Sequence, residues 1–301
     1  MLPPQQTMRL AISDFSLFIL VALMTFLCNP TAGKAWETLS DEHIAALVRS
    51  SPMITVPKGH FQMGTAKASQ DLFSLDSPYD DTEQPQRQIW LDQFAIDRDE
   101  VNLGEFLRWL NQQHRPVSQD LRKLIDHMIT VHAVQPETLS RWPALYVTWA
   151  EASSFCRTYG KRLPSEAEWE KAARGTDERV YPWGNDPPTP VHAVYGLKEG
   201  GAETVSVIGD HHMGQSPYGV QDLAGNLYEW VMDWYAEDFY SSFLNSPAIN
   251  PRGPGEGTAK VQRGGSYINT PYRLRSSFRT KGDPTEQDPN VGFRCAQAIS
   301  K

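Results

Sequence analysis

Histidine and cysteine are the side chains of this 301-residue chain best suited to holding a transition metal or attacking an electrophile, and their spacing restricts both roles. A non-haem iron site needs about three His or carboxylate ligands facing one point. The eight histidines are scattered: His127 and His132 are five apart, which one helix would place on different faces, and His211-His212 fall in a loop-like stretch facing solvent. Cys28 sits in an apolar N-terminal run, so the body of the chain holds only Cys156 and Cys295. An even number in an exported protein fits a single bridge; two buried free thiols, which behave as small hydrophobes, are the alternative. Among the acids, Glu229 beside Trp230, and Asp283 and Glu286 in a late loop, could do acid-base work alongside Arg and Tyr.

The elements that must position these residues read as short. Alternation in 53–64 (MITVPKGHFQMG) around Pro57-Lys58-Gly59 predicts a β-hairpin, and QIWLDQFAI at 88–96 alternates again. Three helix starts are written in capping residues: Asn102 with Glu105, Thr148 with Glu151, and Ser165 with Glu168. The second helix runs through Tyr159 to a stop at Gly160, and the third carries Trp169 into the core before Arg174-Gly175. Leu121, Leu124, Ile125, Met128 and Ile129 are helically spaced within 112–141, which reads as an insertion packed on the surface. The chain is loop-like from 186 to about Gly219. Paired glycines in Arg263-Gly264-Gly265-Ser266-Tyr267 require positive φ or close backbone approach, and Val291–Ala296 is strand-like.

Composition sets the class. With 40% hydrophobic and 21% charged residues, the chain can build a core, and no linker divides it, so one large domain is expected. A net charge of −8 with scattered basic residues leaves no footprint for nucleic acid. Residues 16–27 (SLFILVALMTFL) are uncharged, apolar and short for a membrane crossing, preceded by Arg9 and followed by small residues at 31–35. That pattern predicts a signal peptide over 1–35, an N-terminal extension over 36–52, and export, most simply to a periplasm. An uncleaved anchor is the alternative, and no other membrane association is expected.

Five segments in order then resemble the formylglycine-generating enzyme, or sulfatase-modifying factor, superfamily: VPKGHFQMG at 56–64, Asp99-Glu100-Val101, YGKRLPSEAEWEKAARG at 159–175, SPYGVQDLAGNLYEW at 216–230, and RGGSY with GFRCA at 263–267 and 292–296. The resemblance implies a mixed α+β, C-type-lectin-like fold over 53–299, poor in regular secondary structure and rich in loops. It also implies that Cys156 pairs with Cys295. A structural calcium is implied at Asp222 and Glu229 through side chains and at Gly225 and Leu227 through carbonyls, oxygen donors that suit a hard cation; a second such site is degraded at Val194.

In the copper-dependent members of that family, two cysteines after GGSY bind the metal. Here Asn269 and Leu274 stand at or near those positions, so the resemblance implies no copper and leaves the redox cofactor unassigned. It places Tyr228, Arg263, Ser266, Tyr267, Asn269 and Arg279 along a groove for a peptide or peptide-derived substrate, with Glu229, Ser266 and Arg279 as catalytic candidates. The implied activity is oxidative maturation of such a substrate, as in the periplasmic branch that takes part in oxidising a pyoverdine precursor. A non-catalytic binding module is the alternative, and formylglycine generation itself is disfavoured.

Overall fold

The computed structural model describes residues 50–66, 81–198, 205–243 and 248–299; the expected signal segment and most of the extension lie outside them. The described elements run β1 (Met53–Val56), β2 (Gly59–Met63), β3 (Arg87–Leu91), β4 (Phe94–Asp97), α1 (Leu103–Gln112), α2 (Gln119–Thr130), α3 (Pro136–Ser140), α4 (Trp149–Thr158), α5 (Glu166–Arg174), β5 (Tyr228–Trp234), β6 (Ala248–Ile249), β7 (Lys260–Arg263), β8 (Arg279–Gly282), β9 (Val291–Gly292) and β10 (Ala296–Ala298). The architecture is the mixed, loop-rich α+β one expected of the sequence. Among the described residues no helix is long and apolar enough to cross a membrane.

All three expected helix starts are present. Asn102 Oδ1 accepts from the Glu105 backbone N–H at 2.8 Å, and reciprocal capping boxes open α4 at Thr148/Glu151 and α5 at Ser165/Glu168. Each cap satisfies a donor that the first turn leaves without an intrahelical partner.

The expected hairpin is corrected. β1 and β2 do not pair with each other: β1 and β10 flank β4 in one antiparallel sheet, while β2 pairs antiparallel with β3 in another, which β6 joins in parallel. Pro57-Lys58 is therefore a corner between two sheets. The Lys171 ammonium of α5 pins that corner by donating to Pro57 O and Gly59 O at 2.7 and 3.0 Å. QIWLDQFAI likewise divides at Asp92-Gln93 into β3 and β4.

The segment 112–141 packs on the core through one apolar face, with most of its residues left exposed. Leu121, Ile125 and Met128 of α2 and Leu139 of α3 are buried in the same cluster as Phe106 and Trp109 of α1, Phe155 of α4, and Tyr228, Tyr267 and Phe293. Burying each such aliphatic side chain is worth about 1.5–3 kcal/mol, so the segment is anchored by its packing. A second cluster gathers Phe61, Ile89, Phe94 and Ile96 of the first two sheets against Ala167, Trp169, Ala172 and Ala173 of α5. Trp169 is fully buried; replacing it with Ala would cost about 3–5 kcal/mol in lost contacts and cavity.

The third sheet, ordered β8-β7-β5-β9, carries the site. One register row across it places Arg279 opposite Arg263, Arg263 opposite Glu229, and Glu229 opposite Gly292. Like charges directly opposite are destabilising unless something lies between them. Helix α5 packs on this sheet and supplies Glu166 and Glu170. Cys156 of α4 and Cys295 form a disulfide, tying residues 139 apart in sequence and deciding against two free thiols.

Candidate functional site

The loop following β7 is folded by its two glycines as the sequence requires. Gly264 and Gly265 have φ of 95° and 75°, and a Cβ on Gly265 would come within 2.8 Å of the Arg273 carbonyl oxygen. Only glycine accepts that combination of left-handed backbone and close approach. The turn directs Ser266 toward Asn269, whose Oδ1 accepts from the Ser266 N–H at 2.8 Å and from its hydroxyl at 3.0 Å. The Asn269 carbonyl accepts from Gly196 N–H, and Tyr267 exchanges backbone bonds with Asn226 and Leu197.

The structure thus brings together Tyr228, Ser266, Tyr267 and Asn269 of the expected groove. Ser266 and Tyr267 are buried at 0% and 5% exposure, so only Asn269 of that loop trio is half-open to solvent. Sequence reasoning missed Arg273, an exposed residue whose Nη1 donates to the Tyr228 hydroxyl at 3.3 Å. Burial pushes the Tyr228 hydroxyl above its usual range, with the Arg273 bond and charge opposing. The available signal was position: a guanidinium just beyond RGGSY, within the stretch where the resemblance seats its reactive side chains.

Arg263 and Arg279 are not in the groove. Both are buried at 0% and 1% exposure and clasp α5. Arg279 donates from Nε and Nη2 to the two Glu166 oxygens at 2.7 and 3.0 Å, and Arg263 donates to Glu166, to Glu170 at 2.6 Å, and to the Ser276 and Ser277 carbonyls. Burial raises the Glu166 carboxyl, but the two guanidinium groups outweigh it and hold the group below its ordinary range. Every charge there has a partner, the condition under which buried ions are tolerated. Arg279 is thus held by Glu166 of α5 and not set beside Ser266.

Glu229 is committed in the same way. Arg294 clamps it bidentately at 2.6 and 2.7 Å, and Trp169 Nε1 donates to it at 2.7 Å. The same guanidinium satisfies the carbonyls of Asp97, Arg98 and Gln221. Asp283 is exposed and caps its own turn by accepting from Thr285, and Glu286 is also exposed.

A model described as "Sulfatase-modifying factor enzyme 1-like domain" matches residues 42–299. The chain belongs to that family. The formylglycine-generating enzyme of Streptomyces coelicolor is 37% identical over 166 residues, covering 51% of this chain and 52% of the relative, so that match spans about half of each protein. The formylglycine-generating enzyme of Bos taurus is 29% identical over 297 residues, covering 82% of this chain and 76% of the relative. Among solved structures, PvdO from Pseudomonas aeruginosa aligns with a TM-score of 0.64 at 24% identity, covering 82% of this chain and 94% of that one, which shows a shared fold.

The family's metals can be tested against the residues present. Cu(I) does not fit: Asn269 offers an amide oxygen already occupied by Ser266, Leu274 is an apolar, fully buried side chain, and both body cysteines are joined to each other. For calcium, Glu229 is the less open of the expected side-chain donors, since Arg294 and Trp169 already donate three bonds to it. The open donor is Glu100, fully buried, with Oε2 accepting from Asn226 Nδ2 at 2.7 Å and Oε1 without a hydrogen-bond partner. Burial, then the neighbouring Asp222 and Glu229 charges, push Glu100 well above the carboxylate range, and burial pushes Asp222 up to about 6. Two carboxylates with too little positive charge beside them form an environment a cation would relieve. Among the described residues, no three acidic, imidazole or thiol side chains converge as a ligand set, so backbone carbonyls would have to complete any such site.

Proposed function

We propose that this chain is an exported, periplasmic member of the family that takes part in oxidative maturation of a peptide or peptide-derived metabolite without a copper dithiolate. The observation that carries the reading is the Arg273–Tyr228 pair, whose Arg273 carbonyl lies against Gly265 of the RGGSY turn. Arg273 is exposed and bonds the hydroxyl of the buried Tyr228, close in sequence to the positions where the resemblance seats thiolates. Arg273 suits a substrate carboxylate, which guanidinium recognises bidentately, and the Tyr228 hydroxyl is placed to hold or pass a proton at Oη. Oxygen or a supplied redox cofactor would take the electrons. A structural calcium, held by Asp222 and Glu100 with carbonyls of Gly225 and Leu227, belongs to the same proposal.

A deletion strain should accumulate an under-oxidised peptide-derived metabolite, restored by the wild-type gene and not by Arg273→Ala. Incubation of the purified protein with copper and a Cys-containing sulfatase-type peptide should yield no aldehyde by mass spectrometry. Aldehyde formation, or copper retained through dialysis, would overturn the reading. The sealed, self-satisfied Ser266 favours one competitor, a non-catalytic binding module; full rescue of the deletion by Arg273→Ala together with a Tyr228→Phe variant would establish it.

A further inference from the structure

The end of α2 holds a feature that neither the family resemblance nor the proposed function uses. The helix stops at Thr130 with Val131 as its C-cap, so helical spacing no longer governs the residues beyond it. Ala133 takes a left-handed backbone with φ of 52°, and the Val134 N–H closes back on the Met128 carbonyl at 3.0 Å. This turn carries His132 back over the last helical turn to His127. The two exposed imidazoles meet edge to face, centroids 4.9 Å apart and planes at 78°, with Nε2 to Nε2 at 3.3 Å.

That separation fits a hydrogen bond between the rings and equally the spacing of two ligands on one tetrahedral ion. Two imidazole nitrogens bound to one Zn²⁺ at about 2.0–2.1 Å in tetrahedral geometry lie about 3.3–3.4 Å apart, whereas right-angled ligands on an octahedral or square-planar ion would lie about 2.9 Å apart. The pair also sits at a helix C-terminus, where the dipole favours positive charge, in a chain with net charge −8. A left-handed alanine stores local strain, and such strain persists where the surroundings over-determine it.

We propose that His127 and His132 form a bidentate site for a borderline divalent transition ion with tetrahedral preference, Zn²⁺ being the type. Among the described residues no third acidic, His or Cys side chain completes a ligand set there, so the ion keeps open positions for water or an external ligand. The site is separate in donor type from the Glu100/Asp222 cluster, which offers only hard oxygen ligands.

Isothermal titration of the full chain with ZnCl₂ at neutral pH tests it, with His127→Gln and His132→Gln as variants. Both side chains are exposed, so neither variant should alter thermal stability without metal. The expected result is one zinc site whose affinity drops on the order of tenfold or more in each single variant, since losing about 1.4 kcal/mol of ligand binding is tenfold. Excess Ca²⁺ should leave zinc binding unchanged. Unaltered affinity in both variants, displacement by Ca²⁺, or no binding by the wild type would overturn the proposal and leave the pair as a hydrogen bond between two imidazoles.

Discussion

Replacing Cys156 and Cys295 together with alanine should cost this protein about 5 kcal/mol of stability. The bridge closes a loop spanning 139 residues. In the chain-entropy model, cross-linking a loop of that length removes about 17 cal/mol/K from the unfolded ensemble, or about 5 kcal/mol at 25 °C. Both cysteines are buried, so the lost sulfur contacts add to the penalty, while a compact unfolded chain subtracts from it. Against a typical total of about 5–15 kcal/mol, a third or more of the margin is at stake. Urea unfolding of the oxidised wild type, the wild type in reductant, and the double variant would read it, with reduced protein and double variant shifting together. A double variant within about 1 kcal/mol of wild type, or two titratable thiols in the unreduced denatured protein, would refute the reasoning.

Arg279→Met should destabilise by about 3 kcal/mol in denaturant melts by removing the bidentate partner of Glu166 and leaving it only Arg263 and Tyr240, whereas exposed Arg273→Ala should leave stability nearly unchanged; equal effects would return Arg279 to the functional list. Asp233, buried and accepting from the Glu166 N–H, has its carboxyl pushed up to about 8, chiefly by burial and then by the Glu166 charge. The folded state therefore holds a proton that the unfolded state has released, and stability should fall as pH rises from about 4 to about 8, by at most about 6 kcal/mol at about 1.4 kcal/mol per pH unit. Asp233→Asn should flatten that slope and be the more stable protein at pH 8, as pH-dependent urea melts would show. Ca²⁺ should raise the melting temperature of the wild type and not of Glu100→Gln; an unchanged wild type would remove calcium from the account.

What the sequence made legible is what is local. Asn102, Thr148 and Ser165 cap helices through residues three positions away, so type and spacing suffice. The glycine pair at 264–265 could be interpreted because only one residue type tolerates such a turn. The hairpin at 53–63 misled because alternation identifies strands but not their partners, and β1 finds its neighbour at Phe94–Asp97. Arg263 and Arg279 were misplaced because their partners are about a hundred residues away on α5, at separations of 97 and 113. His127 and His132 meet because the helical period ends before the second of them, which spacing alone does not show.

Strand β10 pairs with β4, Arg294 clamps Glu229, and Cys295 closes the bridge, so residues 291–298 act as a clasp fastened through the middle of the molecule. Synthesis delivers that clasp after every strand and helix that it fastens. The earlier sheets must wait as partial structure, with the ionic centre incomplete and apolar faces uncovered. Deleting 291–298 should therefore remove the bridge, the Glu229 clamp and an edge strand at once, leaving a chain that does not reach this fold rather than one that is merely shorter.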